Sequence, residues 1–176
     1  MKYTYDDWMK KNGNDRSAVL YSETVLYRNL TDTPFVFSCE EKQKEAIFLK
    51  IKEALLDAGL AHTLYLVPLE NMTPSGRACL TERGYIQRNI VENPRGCGLF
   101  LSEDGSMALT VNEEDHLRIC VTLPGRSLEE TYRQAEQLET HLSSVLSFAF
   151  DSEFGYLSPQ LQRLGTGLQT SVRSEE

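Results

Sequence analysis

An α+β domain, with an antiparallel β-sheet flanked by helices, is the fold class this chain predicts. Two stretches with apolar residues at helical spacing bracket a hairpin and a following strand. Those strands are neighbours in sequence, which pairs them antiparallel rather than through helical crossovers. The 176 residues are enough to bury a sizeable core, and no linker, internal repeat or low-complexity tract divides them. One domain over 1–176 is therefore expected.

The elements follow in order. A polar, aromatic-containing lead precedes an apolar run from Val19 to Leu30, broken by Ser22 and Glu23. Ser38-Cys39-Glu40-Glu41 has the Ser-x-x-Glu spacing of a capping box at a helix start. Ile47, Ile51, Ala54, Leu55 and Ala58 then recur at helical spacing, with Gly59 as the stop. LAHTLYLVPL, residues 60–69, suits a buried strand, and the stretch from Pro74 to Asn93 reads as irregular with a short helix near Thr81. Gly98–Leu101 and Met107–Val111 flank Glu103-Asp104-Gly105, and Asp-Gly between two apolar runs predicts a hairpin. Leu117 to Leu123 alternates as a third strand, which makes Asn112 to His116 the turn before it. Ser127 and Glu130 form a second capping-box pattern. Leu128, Tyr132, Ala135, Leu138, Leu142 and Val145 line one face of the helix that follows. Residues 151–176 read as loop, with two glycines around Thr166.

Composition removes several function classes. A net charge of −8 argues against nucleic acid, whose backbone needs clustered Lys and Arg, and it opposes an anionic ligand unless local arginines offset the field. No apolar run approaches the roughly 18 residues of a membrane span, and MKYTYDDWMKK has no signal core, so a cytoplasmic protein without a membrane partner is expected. Cys39, Cys79, Cys97 and Cys120 are scattered with no CxxC pair, which predicts reduced thiols. His62 and His141 have no partner at metal-ligand spacing, so no metal site is expected.

The densest chemistry lies at 108–122, ALTVNEEDHLRICVT, where Glu113, Glu114, Asp115, His116 and Arg118 crowd between two apolar runs. A tight turn there projects its side chains together at the end of two strands. Carboxylates so placed orient a cationic substrate, and one of them can accept a proton. An arginine just inside the next strand reaches a phosphate bidentately. Spacing alone leaves a second reading open, that of a solvated acidic turn.

The run Asn112-Glu113-Glu114-Asp115-His116-Leu117-Arg118 resembles the NEEDHLR signature of the ATP:guanidino phosphotransferases, the family of animal phosphagen kinases and bacterial protein arginine kinases. Three further segments match in the right order. Asp7-Trp8-Met9-Lys10 with Gly13, then Val19-Leu20 and Leu26 to Leu30 with Arg28-Asn29, resembles the bacterial opening segment. Gly98 to Gly105 resembles the strand before the signature. Gly155-Tyr156-Leu157 and Leu164-Gly165-Thr166-Gly167-Leu168 resemble the later glycine-rich segment. The matches span nearly the whole chain and lean toward the protein arginine kinases. The resemblance implies transfer of the γ-phosphoryl of Mg·ATP to a guanidinium nitrogen, by positioning and charge stabilisation. It implies Glu114 as the catalytic carboxylate, Glu113 and Asp115 as shapers of the turn and its field, and Arg118 as a phosphate-binding arginine.

The departures fall on functional positions. The family's Ser-Arg-x-Arg phosphate clamp corresponds to Ser22-Glu23-Thr24-Val25, so Ser22 remains while both arginines are replaced. The active-site cysteine corresponds to Gln160, the arginine after Gly-Thr-Gly-Leu to Gln169, and a nucleotide-binding histidine to Gly84. Family domains also continue for tens of residues past the point matching Glu176, so the resemblance implies an incomplete guanidino kinase catalytic domain. Losing one preorganised donor to developing charge costs roughly 2.7–4 kcal/mol. Three or four such losses remove about 8–12 kcal/mol before non-additivity, and half of that is still on the order of 10³-fold in rate.

A catalytically impaired pseudokinase that binds or regulates is therefore expected, with ATP and Mg required only under the alternative of an active protein arginine kinase. Expected partners are arginine-containing proteins, or a complete arginine kinase and its regulators. A bare sheet edge would also support a homodimer. Arg163 reads as an ordinary surface arginine, and Arg28 equally as an ion-pair partner or a ligand contact.

Overall fold

The computed structural model describes residues 19–174, so the matches on Asp7 to Gly13 lie outside them. In chain order the elements are β1 (Val19–Arg28), α1 (Glu41–Asp57), β2 (Leu64–Val67), α2 (Pro74–Glu82), α3 (Arg88–Glu92), β3 (Gly98–Ser102), β4 (Met107–Val111), β5 (Leu117–Pro124), α4 (Leu128–Ser143), β6 (Phe150–Asp151), β7 (Gly155–Tyr156) and β8 (Leu168–Ser174). Six strands form an antiparallel sheet in the order β2-β3-β4-β5-β1-β8, and β6 pairs with β7 apart from it. The α+β class is as expected.

Alternation along the strands divides the core into two layers. Leu26 on β1, Phe100 on β3, Leu109 on β4 and Ile119 on β5 pack with Ile47, Ile51 and Leu55 of α1 and with Leu138 and Leu142 of α4. Val25, Tyr27, Leu99, Leu101 and Cys120 point the other way, toward Leu80 of α2 and Ile90 of α3. Each intervening residue switches face because side chains on a strand have a period of two. That period sets which residues can share a site.

The hairpin is paired as predicted, with Leu99 opposite Thr110 and Leu101 opposite Ala108. Helix α1 buries Ile47, Ile51, Ala54 and Leu55 and is followed by Gly59 in the left-handed region, φ 73°. Its start differs from expectation. Ser38 ends a short 3-10 turn, Glu40 is the N-cap, and the Gln43 side chain accepts from the Glu40 N–H at 2.8 Å. Residues 60–69 are only partly strand, because the chain leaving Gly59 first winds through a 3-10 turn, Leu60–His62.

Residues 74–93 hold two helices rather than an irregular stretch. The Thr73 hydroxyl accepts from the Gly76 N–H at 3.1 Å and Pro74 occupies the first turn, a capping pattern that was present in the sequence. Buried Arg77 then ties α2 down by donating to the carbonyls of Val91 and Leu69. Ser127 does not make the predicted box. Its hydroxyl donates to the Pro124 carbonyl, while Glu130 pairs with Arg133 and Gln134. The buried stripe of α4 is Thr131, Ala135, Leu138 and Leu142, so Leu128, Tyr132 and Val145 lie at its exposed margin.

The largest correction concerns residues 151–176. They supply β6, β7 and β8, and β8 pairs with β1 from Leu26–Leu168 to Val19–Ser174. Every side chain of β8 is exposed, so it joins the sheet through its backbone and leaves little apolar signal. Cys39, Cys79, Cys97 and Cys120 are all free thiols, and burial pushes Cys97 up to about 11. No described helix is long and apolar enough to cross a membrane.

Candidate functional site

The turn between β4 and β5 is anything but a solvated loop. The Asn112 N–H closes it on the His116 carbonyl at 3.1 Å, with Asn112 itself in the left-handed region, φ 60°. The Asn112 amide donates to the Lys44 and Gly96 carbonyls, which pins the turn against α1. Fully buried His116 accepts the Leu30 N–H on Nδ1 at 3.0 Å, so its proton sits on Nε2 and donates to the Pro34 carbonyl at 2.9 Å. Burial holds that imidazole below the usual histidine range.

The three carboxylates have separate environments. Glu113 is buried, with Oε1 accepting the Gln87 N–H at 2.9 Å and Oε2 unpartnered. Burial raises its carboxyl, against the opposing pull of Arg118 and the Gln87 amide. Asp115 is buried too, and its Oδ1 receives Asn29 at 2.6 Å and Ser158 at 2.7 Å. Only Glu114 reaches outward, with its side chain 36% exposed.

A guanidinium already sits against these acids. Arg163 Nη1 lies 2.8 Å from Glu114 Oε2 and 2.6 Å from Asp115 Oδ2, and its guanidinium stacks 3.8 Å over the Tyr27 ring. Two carboxylates and an aromatic face are what a planar cation with a fork of donors prefers. Arg163 is therefore part of the site, a correction to its reading as a surface arginine. Sequence reasoning also missed Tyr27 and Asn29. Asn29 donates to both Asp115 and the Leu157 carbonyl and accepts from the His116 N–H, so it couples the turn to the end of β1.

Of the positions that correspond to the phosphate clamp, Glu23 and Val25 lie on the same face of β1 as Tyr27. Tyr27 faces Arg118 across the β1–β5 pair, Val25 faces Cys120 and Glu23 faces Thr122. Gln169 and Ser171 of β8 complete the rows beside Val25 and Glu23. Glu23, Arg118, Cys120, Thr122, Gly84 and Arg173 line one cavity of about 570 Å³. The Glu23 carboxylate is held there by Cys120 and Thr122 at 3.4 Å and by Ser171 at 3.5 Å. Arg118 donates to the Gly84 carbonyl at 3.2 Å. Buried Val25 offers no polar atom, and the Gln169 amide oxygen accepts from the Tyr27 hydroxyl at 3.2 Å. Burial pushes the Cys120 thiol up to about 12, which keeps it neutral and inert.

Ser22 is not with these residues. One residue before Glu23, it points to the other face, fully buried, donating to the Gly125 carbonyl and accepting from the Ser127 N–H. The expected cofactor contact is therefore a structural tie between β1 and the start of α4. Arg28 shares that face, 2.6 Å from Glu139 and stacked 3.6 Å over Tyr156, and so is an ion-pair partner. A second concavity of about 440 Å³ borders the acids, lined by Glu114, Arg163, Gln160, Gln162, Leu168 and Gln169. Among the described residues no cluster of three His, Cys, Asp or Glu side chains is placed to hold a metal ion.

Comparison with known proteins bears on the family and the fold. Residues 46–175 match the model of the ATP:guanido phosphotransferase C-terminal catalytic domain. A protein-arginine kinase of Brevibacillus brevis is 31% identical over 174 residues, covering 98% of this chain and 49% of the relative. That of Syntrophomonas wolfei is 35% identical over 173 residues, covering 96% and 48%. The chain thus spans about half the length of the curated relatives it matches. In fold it is similar to the duplicated taurocyamine kinase of Schistosoma mansoni with bound transition-state-analogue components, at a TM-score of 0.82 and 23% identity over 99% of this chain and 26% of the other. Lombricine kinase superposes at 0.79, with 20% identity over 92% of this chain and 49% of the other.

Proposed function

The chain belongs to the ATP:guanido phosphotransferase family, and we propose that its domain is a catalytically impaired member that acts by binding. The observation that carries this reading is the Glu23 carboxylate, fixed in the same cavity as Arg118 where the family resemblance calls for a phosphate-binding arginine. A phosphate oxygen there meets repulsion from Glu23, and neither Val25 nor Gln169 supplies a compensating cation. Arg83, Arg118 and Arg173 line the same cavity, so the misfit to the phosphates of Mg·ATP lies at the clamp positions themselves, where Glu23, Val25 and Gln169 hold no cation.

The acids of the turn support the other half of the reading. Glu114 and Asp115 with Tyr27 are suited to an arginine side chain, so the partner is an arginine-bearing protein, such as a complete arginine kinase or one of its regulators, in the cytoplasm. An active protein arginine kinase is the competing reading, supported by retention of Glu114 and Arg118. Calorimetric titration with Mg·ATP and with Mg·ADP separates the two. The expected result is no saturation in the micromolar range, and micromolar saturable binding of either nucleotide would sink the impaired-kinase reading.

A further inference from the structure

Arg163 occupies the place where the acids of the turn would receive a guanidinium, and it comes from the chain itself. We propose that Arg163 is a tethered occupant of this subsite, so that an arginine side chain from another molecule enters only as Arg163 leaves. The inference rests on the guanidinium-binding role of the turn but not on the loss of nucleotide binding.

The contacts are those of a bound ligand. One guanidinium nitrogen bridges Glu114 Oε2 at 2.8 Å and Asp115 Oδ2 at 2.6 Å, the plane covers Tyr27 at 3.8 Å, and only 16% of the side chain stays exposed. The receptor is preorganised without it. Asn29 and Ser158 hold the other Asp115 oxygen, and the Tyr27 hydroxyl donates to Gln169. Removing Arg163 therefore leaves two carboxylates and an aromatic face in place, next to the concavity that Glu114 and Arg163 line.

The segment that carries Arg163 is built to release it. Arg163 ends a 3-10 turn over Leu161–Arg163, in which Leu161 is 84% exposed. The backbone hydrogen bonds of the turn are local, from Arg163 to Gln160 and from Leu164 to Leu161, and Gln160 N–H donates to the Ser158 hydroxyl. Among the described hydrogen bonds of residues 159–164, only the Arg163 side chain reaches beyond Ser158. The segment is anchored on either side, by Ser158 on Asp115 and by Gly165 paired with Tyr156. Breaking the Arg163 contacts thus frees a short span between two fixed points and leaves the sheet intact.

Self-occupancy lowers apparent affinity in proportion to the fraction of molecules with the subsite free. The test uses N-acetyl-arginine-methylamide as the probe, with the lysine analogue as control, on the full chain. Arg163→Gln is expected to bind the arginine probe at least about tenfold more tightly than the unsubstituted chain, in line with an occupant removed. Adding Glu114→Gln to that variant should abolish the gain. Equal or weaker binding by Arg163→Gln overturns the proposal. Should that variant fail to fold, the Nε–H resonance of Arg163 in the unsubstituted chain gives the answer. It should move toward the position of free arginine as the probe saturates, and a resonance unmoved at saturation, or no saturation, overturns it. A micromolar Mg·ATP affinity would sink the impaired-kinase reading alone and leave this outcome standing.

Discussion

His116 shows how tightly the acidic turn is built into the core. Its two ring nitrogens satisfy the Leu30 N–H and the Pro34 carbonyl, and burial holds its pKa below the unfolded value of about 6.5. Between those two values the unfolded chain binds more protons than the folded one. This contribution is therefore complete above about pH 6.5 and is lost as pH falls through the folded pKa. Urea unfolding should show a stability loss on going from about pH 7.5 to about pH 5.5. A His116→Gln variant, which cannot titrate, should show a smaller loss. An unchanged slope in the variant would place the pH dependence elsewhere. Glu114, by contrast, is the one acid of the turn with a substantial exposed surface.

At the scale of elements, the glycine-rich segment before β8 acts as a clamp for β1. The Tyr27 N–H donates to the Gly167 carbonyl at 2.8 Å and Arg28 donates to the Thr166 carbonyl at 3.0 Å. Gly167 lies at φ 57°, and a Cβ there would stand 2.5 Å from the Tyr27 carbonyl oxygen and 2.6 Å from Arg28 Nη1. The first neighbour is backbone and cannot swing aside. Gly167→Ala should cost at least about 2 kcal/mol of unfolding free energy, from the left-handed backbone together with the overlap. Denaturant melts would check this, and a loss under about 0.5 kcal/mol, the range of an unremarkable surface change, would contradict it. Gly-Thr-Gly is thus a backbone device that seats Tyr27, and with it the ring on which Arg163 stacks.

Across the whole molecule, the sheet places the acidic turn beside the cavity that Glu23 and Arg118 line. Strands β5, β1 and β8 lie next to one another, so Arg118, Glu23, Val25 and Gln169 fall on one face within neighbouring rows. Of these four positions, which the family resemblance links to phosphate binding, only Arg118 is a cation. Restoring cations with Glu23→Arg, Val25→Arg and Gln169→Arg together should raise Mg·ATP affinity at least about tenfold above the unsubstituted chain, measured by calorimetry. An intact fold by circular dichroism with no gain would mean that the losses at these positions are not what limits nucleotide binding. Among the described residues β8 is an edge strand of the sheet, with every side chain exposed.

The sequence by itself determined the α+β class, the β3–β4 hairpin, the α1 pattern and the position of the acidic turn. Each depends on residues close in the chain: Asp104-Gly105 between apolar runs, the spacing from Ile47 to Leu55, and alternation through Leu117–Leu123. Its family resemblance likewise singled out Glu114, Arg118 and the segment Ser22-Glu23-Thr24-Val25 as candidates. Tertiary structure decided what those residues face. Arg163 meets Asp115 across 48 positions, Tyr27 meets Gln169 across 142, and Ser22 turns away from Glu23 only because β1 is a strand with a layer on each side. β8 was illegible because it is held by backbone pairing, with every side chain exposed. Contacts between distant segments leave no local period in the chain, so the self-occupied guanidinium subsite came into view only when the sheet brought the turn, β1 and the Arg163 loop together.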